Sequence, residues 1–174
     1  DHRYLHSFPT RRSSDLVHDY CEAALVPIPI DYGGSTITAI LAFIRDNTLL
    51  GLKGSPMQLS ISFDFARSWS VPIEIPIFGH RPIAKLLVDG RLMVTYRDVS
   101  GSNCTALWVA KIKSEAIKPR VRLNFDDVFQ EQKYYAIDYE DPGTSIHDYG
   151  YSGWTQDPKR SEEHTSELQS PNTI

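Results

Sequence analysis

Gly90 to Asp98 reads "GRLMVTYRD", a run rich in β-branched and aromatic residues that enters from an Asp89-Gly90 turn pair and so predicts a strand. The stretch carries weight because it has an echo. "VTYRDV" at Val94–Val99 matches "AFIRDN" at Ala42–Asn47. Each ends a strand that follows a turn, and Arg45 and Arg97 stand 52 positions apart.

Outward from this pair the same habit continues. "STITAILAFIRDN" from Ser35 and "TALWVAKI" from Thr105 read as strands, separated by turn signals at Tyr32-Gly33-Gly34, Gly54-Ser55-Pro56 and Ser100-Gly101. No stretch is convincingly amphipathic at helical spacing. "SEAIKPRVRLNFDDVFQEQKYY" from Ser114 is broken by Pro119 and reads as a connecting loop plus a strand. A period near ~50 residues made only of short strands suits the four-stranded antiparallel blade of a β-propeller. The expected fold is therefore all-β, a partial propeller of about three blades, too few to close a ring.

The ends have a different character. "RSEEHTSELQS" at Arg160–Ser170 is identical to one translated frame of a sequencing adapter. "DHRYLHSFPTRRSSDL" at Asp1–Leu16 differs from the translated paired adapter only at Tyr4. Such segments are set aside before fold reasoning. The expected division is residues 1–16 and 160–174 as translated adapter, and 17–159 as a piece of a longer protein. The alternative reading is a pair of natural polar tails. Of the 18 basic and 22 acidic residues, 14 and 17 fall in the 17–159 segment, a balance near −3. That mild acidity argues against a nucleic-acid partner, which calls for a basic face. No apolar run approaches the ~20 residues of a membrane helix. Cys21 and Cys104 lack metal-ligand spacing and read as buried unpaired thiols, with a disulfide as the alternative.

"SFDFARSW" at Ser62–Trp69 resembles the Asp-box, S-x-D-x-G-x-T-W, of sialidases and related propellers. Ser62, Asp64, Ser68 and Trp69 match, and Ala66 stands at the usual Gly. Physically the box is a hairpin turn: the Asp accepts from turn amides, and the Trp buries its ring beside the next strand. It is a structural device away from the active centre, and the Ala implies an altered turn. "PIAKLLVDGRLMVTYRD" looks like a blade segment of the same family. "DYGYSGWTQ" looks like the stretch carrying the sialidase nucleophile, and "DYCEAALVPIPIDYGG" like the one supplying the catalytic Glu, followed by a strand that ends in a clamp Arg.

The resemblance implies a retaining exo-glycosidase that removes terminal sialic acids from glycoconjugates, with six blades in the whole protein and neither cofactor nor metal. A sialic acid carries a carboxylate on its anomeric carbon, which would repel a carboxylate nucleophile, and sialidases use Tyr instead. Tyr, with an ordinary pKa near ~10, needs a base in reach. By resemblance Tyr151 is the nucleophile and Glu22 its base. Arginine forks bind the substrate carboxylate, and Arg45 is the best-placed member, with Arg81 and Arg97 as further candidates. The family's first clamp Arg and its Asp acid/base belong N-terminal to this chain. Asn103 and Cys104 stand where its third clamp Arg is usual, so Arg81 or Arg97 would have to substitute.

Plainer readings stand beside these. Tyr151 could be blade packing among Tyr149 and Trp154, and Glu22 a solvated strand-edge carboxylate. Arg45 and Arg97 could pair with the following Asp46 and Asp98. His80 and Arg81 could line a central funnel or form a loop ion pair, and Asp89-Gly90 reads as a hairpin turn. Competing functions are a non-catalytic Asp-box propeller that binds glycans, and a glycosidase for another acidic sugar. The family implies an extracellular or periplasmic location.

Overall fold

A computed structural model of the chain describes residues 19–48, 55–100 and 104–137, and the strand backbones of 138–139, 154–156 and 163–165. Two four-stranded antiparallel sheets dominate it. The first runs β1 (Tyr20–Tyr32), β2 (Ser35–Asp46), β3 (Gln58–Ser62) and β4 (Ile73–Glu74), in chain order across the sheet. The second repeats the plan with β5 (Gly79–Leu86), β6 (Arg91–Asp98), β7 (Cys104–Ile112) and β8 (Phe129–Tyr139). A short pair, β9 (Trp154–Gln156) and β10 (Glu163–Thr165), stands as a separate sheet. The all-β class agrees with the sequence. Where the spacing gives about three units, the described residues complete two four-stranded ones. The terminal segments 1–16 and most of 160–174 lie outside the described residues.

Local sequence explains the meanders. In β1, Val26, Ile28 and Ile30 are buried while Leu25, Pro27 and Pro29 face out, the period-two pattern of a half-buried strand. Pro27 and Pro29 lack an N–H to donate, which suits an edge strand, and β1 pairs with β2 alone. Gly33 and Gly34 have φ of 62° and 79° and join Tyr32 to its partner Ser35. Both signs match the two-residue turn that a twisted hairpin favours. The Asp89-Gly90 reading as a hairpin holds: Leu87 N donates to Arg91 O (2.7 Å), and Arg91 N and Nε donate to the Asp89 carboxylate (3.0 and 2.7 Å). Between β7 and β8 the chain makes a short 3₁₀ turn (Ser114–Ala116) and a single helical turn, α1 (Phe125–Val128), capped by the Asn124 side chain.

The two sheets share one core. Phe43 from the first meets Trp108 and Phe129 from the second, with ring centroids 6.1 and 6.4 Å apart, and Phe125 of α1 packs on the latter two at 5.7 and 5.1 Å. Phe43, Trp108 and Phe129 are essentially inaccessible, and each such side chain contributes about 1.5–3 kcal/mol through burial. The sheets meet through their first strands, β1 against β5. A Cβ on Gly79 would stand 2.3 Å from Tyr96 Cδ2 and 2.7 Å from Met57 Cε. Only glycine lets the start of β5 sit between those two side chains. Among the described residues no helix is long and apolar enough to cross a membrane.

Candidate functional site

The echo between Arg45 and Arg97 is a structural equivalence. Both are the penultimate residue of the second strand of a sheet, and the first strand opposite each is irregular nearby, one residue later in β5 than in β1. From Tyr20↔Asp46 to Ala23↔Ile44, β1 advances three residues while β2 advances two. From His80↔Arg97 to Ile83↔Thr95, β5 advances three while β6 advances two. Each first strand thus carries a one-residue bulge, a device that re-aims side chains beside functional sites. Glu22 lies two residues past Tyr20, and Arg81 two past Gly79, each counted from the partner of the strand-ending Asp. The two bulges therefore present Glu22 and Arg81 at matching positions.

They meet. Arg81 N donates to Glu22 Oε2 (3.0 Å), and Arg81 Nε lies 3.8 Å from Glu22 Oε1. Arg45 Nη1 donates to Glu22 Oε2 (2.9 Å) while its Nε donates to Asn47 Oδ1 (2.8 Å). Arg97 Nη2 bonds His80 Nδ1 (2.9 Å). Arginine only donates, so His80 Nδ1 accepts and the neutral ring carries its proton on Nε2. Arg81 adopts φ of 54°, a left-handed conformation uncommon outside glycine, Asn and Asp and found at functional sites.

The plainer pairings with Asp46 and Asp98 are not what the arginines make. Successive strand side chains point to opposite faces, and each Asp instead closes a turn. Thr48 N donates to Asp46 Oδ1 (2.9 Å), and Ser100 N to Asp98 Oδ1 (2.7 Å). The residue between bonds the carbonyl just before the first strand, Asn47 N to Asp19 O (2.8 Å) and Val99 N to Phe78 O (3.0 Å). The same latch thus fixes each arginine.

Electrostatics follow from this packing. Burial works against ionising Glu22, but the hydrogen bonds and charges of Arg45 and Arg81 outweigh it and hold its pKa below the usual carboxylate range. Its side chain keeps 40% exposure against 18% for each arginine, so Glu22 is neither buried nor a merely solvated carboxylate. His80 is pushed down to about 4, first by burial and then by the charges of Arg45 and Arg97. It is neutral at pH 7. Among the described residues the cluster thus brings three guanidinium groups and a neutral imidazole around the Glu22 carboxylate.

Tyr151 lies outside the described residues, as do Tyr149 and Asn103. Among the described residues no group of three or more His, Cys, Asp or Glu could hold a metal ion. Neither Cys21 nor Cys104 is in a disulfide. Cys104 is buried as expected, whereas Cys21 is exposed, on the bulge beside Glu22.

The stretch that resembles an Asp-box, Ser62–Trp69, forms a turn held by its own side chains. Ser68 N and Oγ donate to Asp64 Oδ1 and Oδ2 (2.8 and 2.6 Å), Ser62 Oγ donates to Asp64 Oδ1 (2.9 Å), and Ala66 N donates to Ser62 Oγ (2.9 Å). These bonds, the Ser68 hydroxyl foremost, hold Asp64 down to about 2. Phe65 and Ala66 both have positive φ, 57° and 65°, so the substitution for glycine leaves the turn in place under strain. Ser62 pairs with Ile40 while Gln58 pairs with Ile44, which sets the box at the opposite end of the first sheet from Arg45. Trp69 is half-buried and lines a cleft, rather than packing fully against the next strand.

Residue reading did not find the partnership of His80 with Arg97, the Asn47 support of Arg45 or the paired bulges. Laying the two repeats on one another from Asp46 and Asp98 backwards would have brought Glu22 and Arg81 into register. No family model, curated protein or solved structure matches this chain.

Proposed function

We propose that this chain forms part of a sialidase-like β-propeller, a retaining exo-glycosidase for terminal sialic acids, and that the bulged ends of β1 and β5 form one wall of its active centre. Two successive four-stranded meanders with adjacent first strands support the propeller reading, because consecutive blades stand that way around an axis. The observation that carries the functional reading is the cluster in which Arg45 and Arg81 both bond one carboxylate, Glu22, while Arg97 bonds the neighbouring His80. Such a concentration of guanidinium groups suits an anionic ligand, and arginine forks suit a carboxylate.

In this reading Arg45, Arg81 and Arg97 receive the sugar carboxylate, and Tyr151, giving its proton to Glu22, attacks the anomeric carbon as the glycosidic bond breaks and the aglycone leaves with a proton from the Asp acid that the family resemblance implies. In the structure Arg45 holds Glu22 ionised and weakly basic. A substrate carboxylate drawing Arg45 away would raise the proton affinity of Glu22 as the base is needed. Water then releases the glycosyl-enzyme.

The lock on Glu22 also favours a second reading, a glycan-binding propeller without turnover, since fold alone does not confer chemistry. Saturation-transfer NMR with N-acetylneuraminate on this chain tests the shared step. Binding is expected, with at least tenfold loss in Arg45→Ala, and equal binding of galactose would overturn both readings. In a longer protein containing this chain, fluorogenic sialoside release that survives Tyr151→Phe would sink the nucleophile assignment. Absent turnover with sialic acid binding retained would favour the second reading.

A further inference from the structure

At the end of the first sheet away from Arg45, the Asp-box turn and the loop after β7 enclose an open cleft of about 820 Å³, within the size range of small-ligand sites. Phe63 and Trp69 supply aromatic surface on one wall, and Pro119 to Arg122 form the other. Asp64, Ser68 and Ser70 also line it, but their side chains are engaged in the turn. Arg120 and Arg122 have no hydrogen-bond or ion-pair partner among the described residues.

Arg120 is also strained. Val121 N donates to Lys118 O (3.2 Å), which closes a turn with Pro119 at its second position and Arg120, at φ of 65°, at its third. That is the type II pattern, whose third position favours glycine or asparagine. Non-glycine residues in such conformations cluster at ligand clamps. The contacts within the described protein offer Arg120 nothing that would offset the strain.

We infer that this cleft is a second glycan subsite, which takes an acidic saccharide by setting the sugar ring on Trp69 and Phe63 and its carboxylate on Arg120 and Arg122. The choice of a saccharide over another anion rests on the glycan reading of the opposite end. The openness of the cleft to solvent suits a unit within a longer chain, one that anchors the glycan while another unit occupies the arginine cluster.

The test is trigalacturonate titrated against the full chain in a Trp154→Phe background, followed by tryptophan fluorescence. Trp108 is sealed in the core, so the response reports Trp69. Saturable quenching is expected, weakened at least tenfold in Arg120→Gly and in Arg122→Ala. Because glycine relieves the turn, Arg120→Gly should lose affinity with its Tm held or raised. Unchanged affinity in Arg120→Gly, equal binding of the methyl-esterified trisaccharide, or tighter binding of a glutamate hexapeptide would overturn the proposal. Loss of sialic acid binding in the wild type with trigalacturonate binding intact would strike only the reading of the opposite end.

Discussion

The two ends of the first sheet use the same polar side chains to opposite effect. At the Asp-box end one carboxylate, Asp64, accepts from neighbours within four residues, so its charge is spent on holding a turn. At the other end the Glu22 carboxylate accepts from residues 23 and 59 positions away, and among the described residues three arginines gather around it and His80. A local network makes a rivet, whereas a long-range cluster of arginines is the place where we propose a ligand binds.

The sharpest way to break the charged end alone is Gly79→Ala. The added methyl would meet the buried Tyr96 ring at 2.3 Å. Overpacking of this kind costs about 1–3 kcal/mol, or several degrees in Tm for a chain of this size. The shift should come with loss of the Arg97–His80 contact, because His80 is the next residue. A melt like that of the wild type would show that the two sheets do not close on Gly79.

The ends should also separate by pH. His80, about 4 in the folded chain against 6.5 ordinarily, binds its proton more readily when unfolded. Its neutral form therefore stabilises the fold above pH 6.5, and that contribution falls away between pH 6.5 and about 4. Asp64, held to about 2 from 3.8, contributes above pH 3.8 and loses its effect only as pH falls from there toward 2. Glu22, also lowered, acts in the same direction as Asp64, below its ordinary carboxylate pKa. Thermal melts should decline from pH 6.5 to 4.5, and His80→Asn should flatten that decline while leaving the one below pH 3.8. An unchanged slope in His80→Asn would speak against the arginine cluster around His80.

A smaller effect sharpens the other end. Ala66 occupies a left-handed position that favours glycine, and that conformation costs a non-glycine residue about 1–2 kcal/mol. Ala66→Gly should raise stability by about 1 kcal/mol without altering ligand binding at the arginines. Destabilisation would mean that the turn owes its shape to the alanine.

The contrast also explains what could be read in the sequence. Strands, hairpin turns and the Asp-box were legible because each is set by neighbours within a few residues: Gly33-Gly34 dictates its turn, and Ser62 to Ser68 close on themselves. The Arg45 and Arg97 repeat was legible as a spacing. Its partners were not, because Glu22 reaches Arg81 only when β1 packs on β5, and the His80 pKa falls only once the ring is buried among arginines. The alternation rule could have excluded pairing of Arg45 with Asp46, since adjacent strand residues face opposite ways. The one-residue bulges leave no composition signal, and the turn-forming roles of Asp46 and Asp98 emerge only from the ends of the paired strands.

The most direct test of the arginine cluster is an NMR titration of the His80 ring, with and without saturating N-acetylneuraminate. The free chain should show a pKa near 4 and the Nε2–H tautomer, and bound carboxylate should raise that pKa by adding negative charge among Arg45, Arg81 and Arg97. A His80 that titrates near 6.5 and is indifferent to the ligand would contradict the account.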